Sequence, residues 1–304
     1  MWEKETEVDR QRERVPLSNL VSQCKLSDMD PSKPKPRDWV GSFKRAAEEN
    51  GFVVIPELKR LEPKSGSLRK RYDLTKLAKQ IVKAKSPALS INCDGVLFGG
   101  SMEDATTIRE NISSSLLDSP DAEDGVVPIP ILASDLVLYP YQLYKFRLAG
   151  TDAVNIIVGA LTSKDLLYVT KIAATLKLQI VASVTSEVQL NSVNQLSGGI
   201  HALVVSNRDL ETYGFDESGE QALFLLRSEA MGKFKEKFGS DIPILVDGRV
   251  GIIKCNDGNG GESTKAYIEA LKEAGAAGAI VGSGLVTDSK EGGIVEAIES
   301  LQSV

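Results

Sequence analysis

The sequence predicts an α/β protein, a single (β/α)8 TIM barrel with a helical extension at its N-terminus. From Phe52 onward, short Val- and Ile-rich runs alternate eight times with stretches of helical period, as parallel strands covered on both faces require. Eight such units in about 250 residues suffice for a closed barrel. No G-x-G-x-x-G follows the first strand, where Glu57-Leu58-Lys59-Arg60 stands instead, which argues against an open dinucleotide-binding sheet. The expected division is residues 1–50 as helical extension and Pro-rich linker, and 51–304 as barrel.

Trp2 to Arg37 is charge-dense and then broken by Pro31, Pro34 and Pro36, so a short amphipathic helix followed by a linker is expected. Val40, Phe43 and Ala47 recur at helical spacing, placing a second helix over Asp38–Glu49 that Asn50-Gly51 ends. The expected strands are Phe52–Pro56, Ala88–Asn92, Pro128–Ala133, Ala153–Val158, Gln179–Ser183, Ala202–Val205, Pro243–Val246 and Ala279–Val281. Their helices are Leu74–Ala84, Met102–Ser114, Tyr141–Leu148, Lys164–Thr175, Ser186–Gln195, Gln221–Phe238, Ser263–Ala274 and Val295–Gln302. Ser101 and Ser163 stand where hydroxyls cap helix starts, and Gly150 and Gly275 where glycine closes helices. Two insertions, acidic Leu116–Val127 and Gly/Asn-rich Gly251–Ser263, read as surface loops, with partner docking as the alternative.

Composition narrows the function classes. Thirty-six basic against 42 acidic residues give a net charge of −6, which argues against bulk nucleic-acid binding. No apolar run approaches the roughly 20 residues of a membrane span, so no membrane partner is expected. Cys24, Cys93 and Cys255 are an odd count without CxxC spacing, so a reducing compartment fits and neither a disulfide scaffold nor a zinc site is suggested. His201, the only histidine, precedes strand six on the side away from the expected site and reads as structural. Cys93 reads as a semi-buried structural thiol.

In a barrel of this kind chemistry gathers at the C-terminal strand ends and the loops after them. Glu57 and Lys59 alternate at the first strand end, so both point into the mouth. Arg69, Lys70 and Arg71 read as a solvated charged loop. The last strand runs into Val281-Gly282-Ser283-Gly284, a glycine turn at the place where barrels commonly bind phosphate.

Several ordered segments resemble the indole-3-glycerol phosphate synthase family, especially its plant and cyanobacterial members. They are Trp2–Val8, Glu13–Ser18, Pro56–Arg60, Phe98–Ser101, Tyr139–Tyr144, Asn207–Thr212 and Val281–Ser283, spread over nearly the whole chain. The resemblance implies the (β/α)8 fold and a place in tryptophan biosynthesis, with ring closure accompanied by loss of carbon dioxide and water. It implies no metal, nucleotide or organic cofactor. It suggests a plastid stromal protein whose leader is absent from this chain, and otherwise a cytoplasmic one.

The same resemblance marks positions where the family's machinery is replaced. Ser134 stands where the family carries its general-acid lysine, Ser183 where it carries a catalytic glutamate, and Ser206 where an asparagine contacts substrate. The family's Glu-Ser-Gly after strand seven becomes Asp247-Gly248-Arg249, and its first-loop Ser-Pro-Ser becomes Glu62-Pro63-Lys64. Retained are Glu57 and Lys59 at catalytic positions, Phe98 and Arg208 at substrate positions, and Gly282 and Ser283 at the phosphate position. Asp247 and Arg249 are further substrate-binding candidates, Gly248 a phosphate-binding one, and Arg249 either strengthens anion binding or fills the pocket.

A positioned acid or base is worth about 10²–10⁴ in rate, and an unassisted serine supplies neither near pH 7. The expectation is a barrel impaired in ring closure that binds a phosphorylated small molecule or a protein partner. The alternatives are an active synthase using Lys59 as acid with Glu57, Asp135 or Asp247 as base, and a different lyase or isomerase on the same scaffold.

Overall fold

The computed structural model describes residues 2–33, 35–117, 129–209, 212, 214–216, 218–248, 250, 260–287 and 293–303. Arg249 and most of both insertions, 118–127 and 251–259, lie outside the described residues.

Three helices lead the chain: α1 (Trp2–Arg14), α2 (Leu17–Met29) and α3 (Trp39–Asn50). One helix and a linker were expected before Asp38; Pro16 instead separates two helices, the position at which proline is tolerated because the first N–H groups of a helix have no partner. After them come β1 (Val53–Leu58), a hairpin of β2 (Leu61–Glu62) and β3 (Gly66–Ser67), α4 (Leu74–Lys83), β4 (Leu89–Asn92) and α5 (Met102–Leu117). The chain continues through β5 (Ile131–Ser134), α6 (Pro140–Ala149), β6 (Ala153–Ile157), α7 (Ser163–Thr175), β7 (Gln179–Val184) and α8 (Glu187–Asn194). It ends with β8 (Ala202–Ser206), α9 (Glu220–Leu226), α10 (Glu229–Phe238), β9 (Ile244–Asp247), α11 (Gly260–Glu273), β10 (Gly278–Val281), α12 (Ser283–Val286) and α13 (Gly293–Gln302).

The strands other than the hairpin close into an all-parallel barrel in the order β1-β10-β9-β8-β7-β6-β5-β4. The (β/α)8 barrel expected from the alternation is therefore the fold. The expected single helix Gln221–Phe238 is two, because Ser228 accepts a bond from the Met231 N–H at 3.2 Å and starts a new helix. The cap of α7 is Thr162, one residue ahead of the expected Ser163.

Strand residues alternate between two cores. Ile91, Ile131, Ala133, Ile156, Ala182 and Val205 face the outer helices. Val53, Ile55, Leu132, Ala153, Val181, Val204, Leu245 and Ile280 fill the barrel interior, where Trp39 and Phe43 of α3 join them. The two rings stack at 5.9 Å and seal the lower end. Gly278 permits this, since a Cβ there would lie 2.3 Å from the Val53 carbonyl oxygen and 3.0 Å from the Phe43 ring.

The extension is anchored from outside. Val8, Leu20 and Tyr141 form a small core between α1, α2 and α6, and the Tyr141 hydroxyl lies 2.9 Å from the carbonyl oxygens of Gln11 and Val15. Below, buried Asp152 accepts bonds from Arg109, from Arg37 N at 2.7 Å and from Ile131 N at 2.7 Å, tying the linker to the barrel floor. Among the described residues no helix is long and apolar enough to cross a membrane.

Candidate functional site

The alternation that fills the interior also dictates the mouth. Counting by twos from the interior residues of each strand brings Glu57, Asn92, Ser134, Asn155, Ser183, Ser206 and Asp247 to the same upper ring. These seven line one cavity of about 560 Å³, with Phe98, Asp135, Gln189, Arg208 and Gln221 above them. Asn92 and Asn155 were not singled out from the sequence, although the two-residue period already places them in the ring.

Chemically the ring is mostly neutral. Ser183 Oγ donates to Asn155 Oδ1 at 2.7 Å, and Ser206 Oγ accepts from the Arg208 backbone N–H at 3.3 Å. Asp247 is the exception beside Glu57; burial, then repulsion from Glu57, raises its carboxyl above the usual range. Neither Ser134 nor Ser183 has a histidine near it to activate its hydroxyl, since His201 accepts the Ile180 N–H through Nδ1 at 3.0 Å on β7's lower end. Cys93 is buried, and its thiol is held above its ordinary pKa by that burial.

Lys59, Gly248, Gly282 and Ser283 lie beside the cavity around a much smaller space of about 10 Å³. The hairpin of β2 and β3 turns Glu62 into that corner. Glu62 Oε1 accepts from Ser283 Oγ at 3.0 Å and from Arg208 Nη2 at 3.1 Å, and lies 3.5 Å from Lys59 Nζ. Its Oε2 accepts from Ser65 Oγ at 3.3 Å. Burial alone would raise this carboxyl, but Lys59, Ser283 and Arg208 together hold it below the usual glutamate value. Lys59 is shared with Glu57, whose Oε2 is 3.3 Å away. Arg208 is sandwiched by aromatic faces, its guanidinium 4.1 Å from the Phe215 ring and 5.3 Å from the Phe98 ring.

On the opposite rim the extension delivers a residue that sequence reading passed over. Lys4 of α1, only 3% exposed, places Nζ 2.8 Å from Asp135, 3.0 Å from Asp94 and 2.9 Å from Glu7. Burial pushes the Asp135 carboxyl up to about 6 despite Lys4. Burial lowers the Lys4 ammonium, but the facing carboxylates outweigh it and hold the pKa above its ordinary value. The signal available in sequence was a lysine amid the glutamates of a helix that has little apolar face of its own.

With that geometry in view, relatives decide the lineage. A sequence model of the family described as indole-3-glycerol phosphate synthase matches residues 1–229. The chain belongs to that family. Among curated indole-3-glycerol phosphate synthases, the one from Rippkaea orientalis is 28% identical over 286 residues, covering 94% of this chain and 83% of that protein. The one from Trichodesmium erythraeum is 30% identical over 292 residues, covering 96% of this chain and 84% of that protein. A solved structure from Aquifex aeolicus is similar in fold alone, with a TM-score of 0.53 and 14% identity over 87% of this chain and 97% of that one. As a member of the indole-3-glycerol phosphate synthase family, the chain is a TIM barrel of the tryptophan-biosynthesis lineage whose ring carries hydroxyls at Ser134 and Ser183. Among its described residues no His, Cys, Asp and Glu side chains group to hold a metal ion.

Proposed function

We propose that this barrel does not close the indole ring and instead binds a small molecule in its mouth. The observation that carries this reading is the Ser183–Asn155 hydrogen bond at 2.7 Å, together with Ser134 at the end of β5. Both serines occupy positions where the family resemblance calls for an ionisable side chain, and neither hydroxyl is placed to move a proton near pH 7. Lys59 offers a poor substitute acid, because its ammonium is already shared by Glu57 and Glu62.

The test is purified protein with the family's carboxyphenylamino-deoxyribulose phosphate substrate, followed by indole fluorescence. No turnover above the buffer rate is expected. Turnover that disappears in Lys59→Ala would overturn the reading and favour a synthase working through the Glu57–Lys59 pair.

A further inference from the structure

The corner formed by Lys59, Arg208 and Ser283 has the chemistry of an anion seat: two cations and a hydroxyl converge on one oxygen, and a glycine stands beside them. At Gly282 a Cβ would lie 2.7 Å from Glu57 Oε2 and 2.8 Å from Lys59 Cε, so a larger residue there would push these side-chain ends aside. The seat is already filled from within the chain. Glu62 presents one carboxylate oxygen to all three groups and anchors the other on Ser65. The remaining space, about 10 Å³, is near the minimum for a single water and far too small for a phosphate.

We propose that Glu62 is a resident substitute for a bound anion, and that the mouth therefore takes an uncharged hydroxylated molecule and rejects a phosphorylated one. The inference rests on the reading of the mouth as a binding site and names the class of its ligand. Three further observations support it. Three cations at the mouth are already on carboxylates: Lys4 on Asp94 and Asp135, Lys59 on Glu57 and Glu62, and Arg208 on Glu62. The ring facing the 560 Å³ cavity offers amides and hydroxyls from Asn92, Ser134, Asn155, Ser183 and Ser206. Arg208, 9% exposed and lining the cavity, keeps a buried Nη1 without a hydrogen-bond partner. An additional dianion near Glu62, Glu57 and Asp247 would meet the repulsion of the carboxylates already gathered there.

The experiment is calorimetric titration of the full chain with inorganic phosphate and, separately, with ribitol, in wild type and in Glu62→Gln and Glu62→Ser. Wild type is expected to bind ribitol and to give no phosphate signal at millimolar concentrations, whereas both variants gain phosphate affinity by at least about tenfold. Wild type that binds phosphate as tightly as the variants overturns the proposal while leaving a non-catalytic binding barrel intact. Variants that fold, judged by circular dichroism, yet fail to gain phosphate also overturn it, because the corner is then no anion seat. Should neither variant fold, the wild-type comparison decides alone: preference for phosphate over ribitol, or failure to bind ribitol, is fatal. Turnover of the synthase substrate, by contrast, would sink the underlying reading itself.

Discussion

Two charge clusters face each other across the mouth, built from the same kinds of side chain in opposite proportion. At Lys4 a single ammonium serves Glu7, Asp94 and Asp135, and burial, with smaller repulsion from Asp94 and Glu7, leaves Asp135 up at about 6. At Glu62 a single carboxylate is served by Lys59, Arg208 and Ser283, and its pKa falls below the ordinary glutamate value. Burial opposes charge in both. Whether the buried carboxylate is held charged or pushed toward neutrality depends on how many donors reach it. The clusters also differ in origin: the Glu62 cluster is made from the barrel's own strand ends and loops, whereas the Lys4 cluster needs a helix from outside.

Removing the lone cation should therefore have the largest effect. Lys4→Met leaves Asp94 and Asp135 side by side, buried and unpaired, and is expected to cost about 3–5 kcal/mol unless α1 undocks to relieve them. Urea unfolding followed by circular dichroism measures it. A midpoint equal to wild type would break the contrast, since Lys4 would then be no more than a surface contact.

This is also the part of the site least legible in sequence. The eight strands were readable because Val- and Ile-rich runs recur between helical stretches, and the period of two places the upper ring, Asn92 and Asn155 included. Lys4 was not readable, because what buries it is the docking of α1 on Tyr141 and α6, contacts some 130 residues away along the chain. Glu62 was visible as a replacement in the family's first-loop Ser-Pro-Ser, but not as the centre of a cluster. Its meeting with Ser283, 221 positions away, depends on barrel closure and on a two-residue hairpin too short to leave a pattern. The missed break between α9 and α10 was local by comparison: Ser228-Glu229 is a start signal within an otherwise continuous helical period.

Acid separates the two clusters by sign. Asp135 binds its proton more tightly folded, at about 6, than its ordinary value of 3.8, so its contribution to stability is fully present below pH 3.8 and is lost as pH rises through about 6. Two units correspond to about 3 kcal/mol. Glu62 has the opposite sign: its contribution is present above its ordinary value of 4.5 and is lost as pH falls through its depressed pKa. Asp135→Asn should therefore remove a decline in stability between pH 4 and 6, leaving the acid-side loss from Glu62. Chemical denaturation at half-unit intervals across that window checks this, and a profile unchanged by Asp135→Asn would mean that Lys4 holds Asp135 charged throughout.

Glu62→Gln should have the smallest effect, about 1–2 kcal/mol at pH 7, although it too removes a buried charge at the centre of a cluster. The reason lies in what each cation keeps. Lys59 retains Glu57 at 3.3 Å, and Arg208 retains the faces of Phe98 and Phe215. The amide oxygen still accepts from Ser283 or Arg208, so the corner loses a charge without leaving a buried carboxylate unpaired, in contrast to Asp94 and Asp135 after loss of Lys4. The comparison is a difference of urea midpoints between Lys4→Met and Glu62→Gln measured at the same pH. A loss for Glu62→Gln as large as that for Lys4→Met would mean that Glu62 is chiefly a structural clasp between the first and last strands, with stability rather than ligand choice as the reason it sits there.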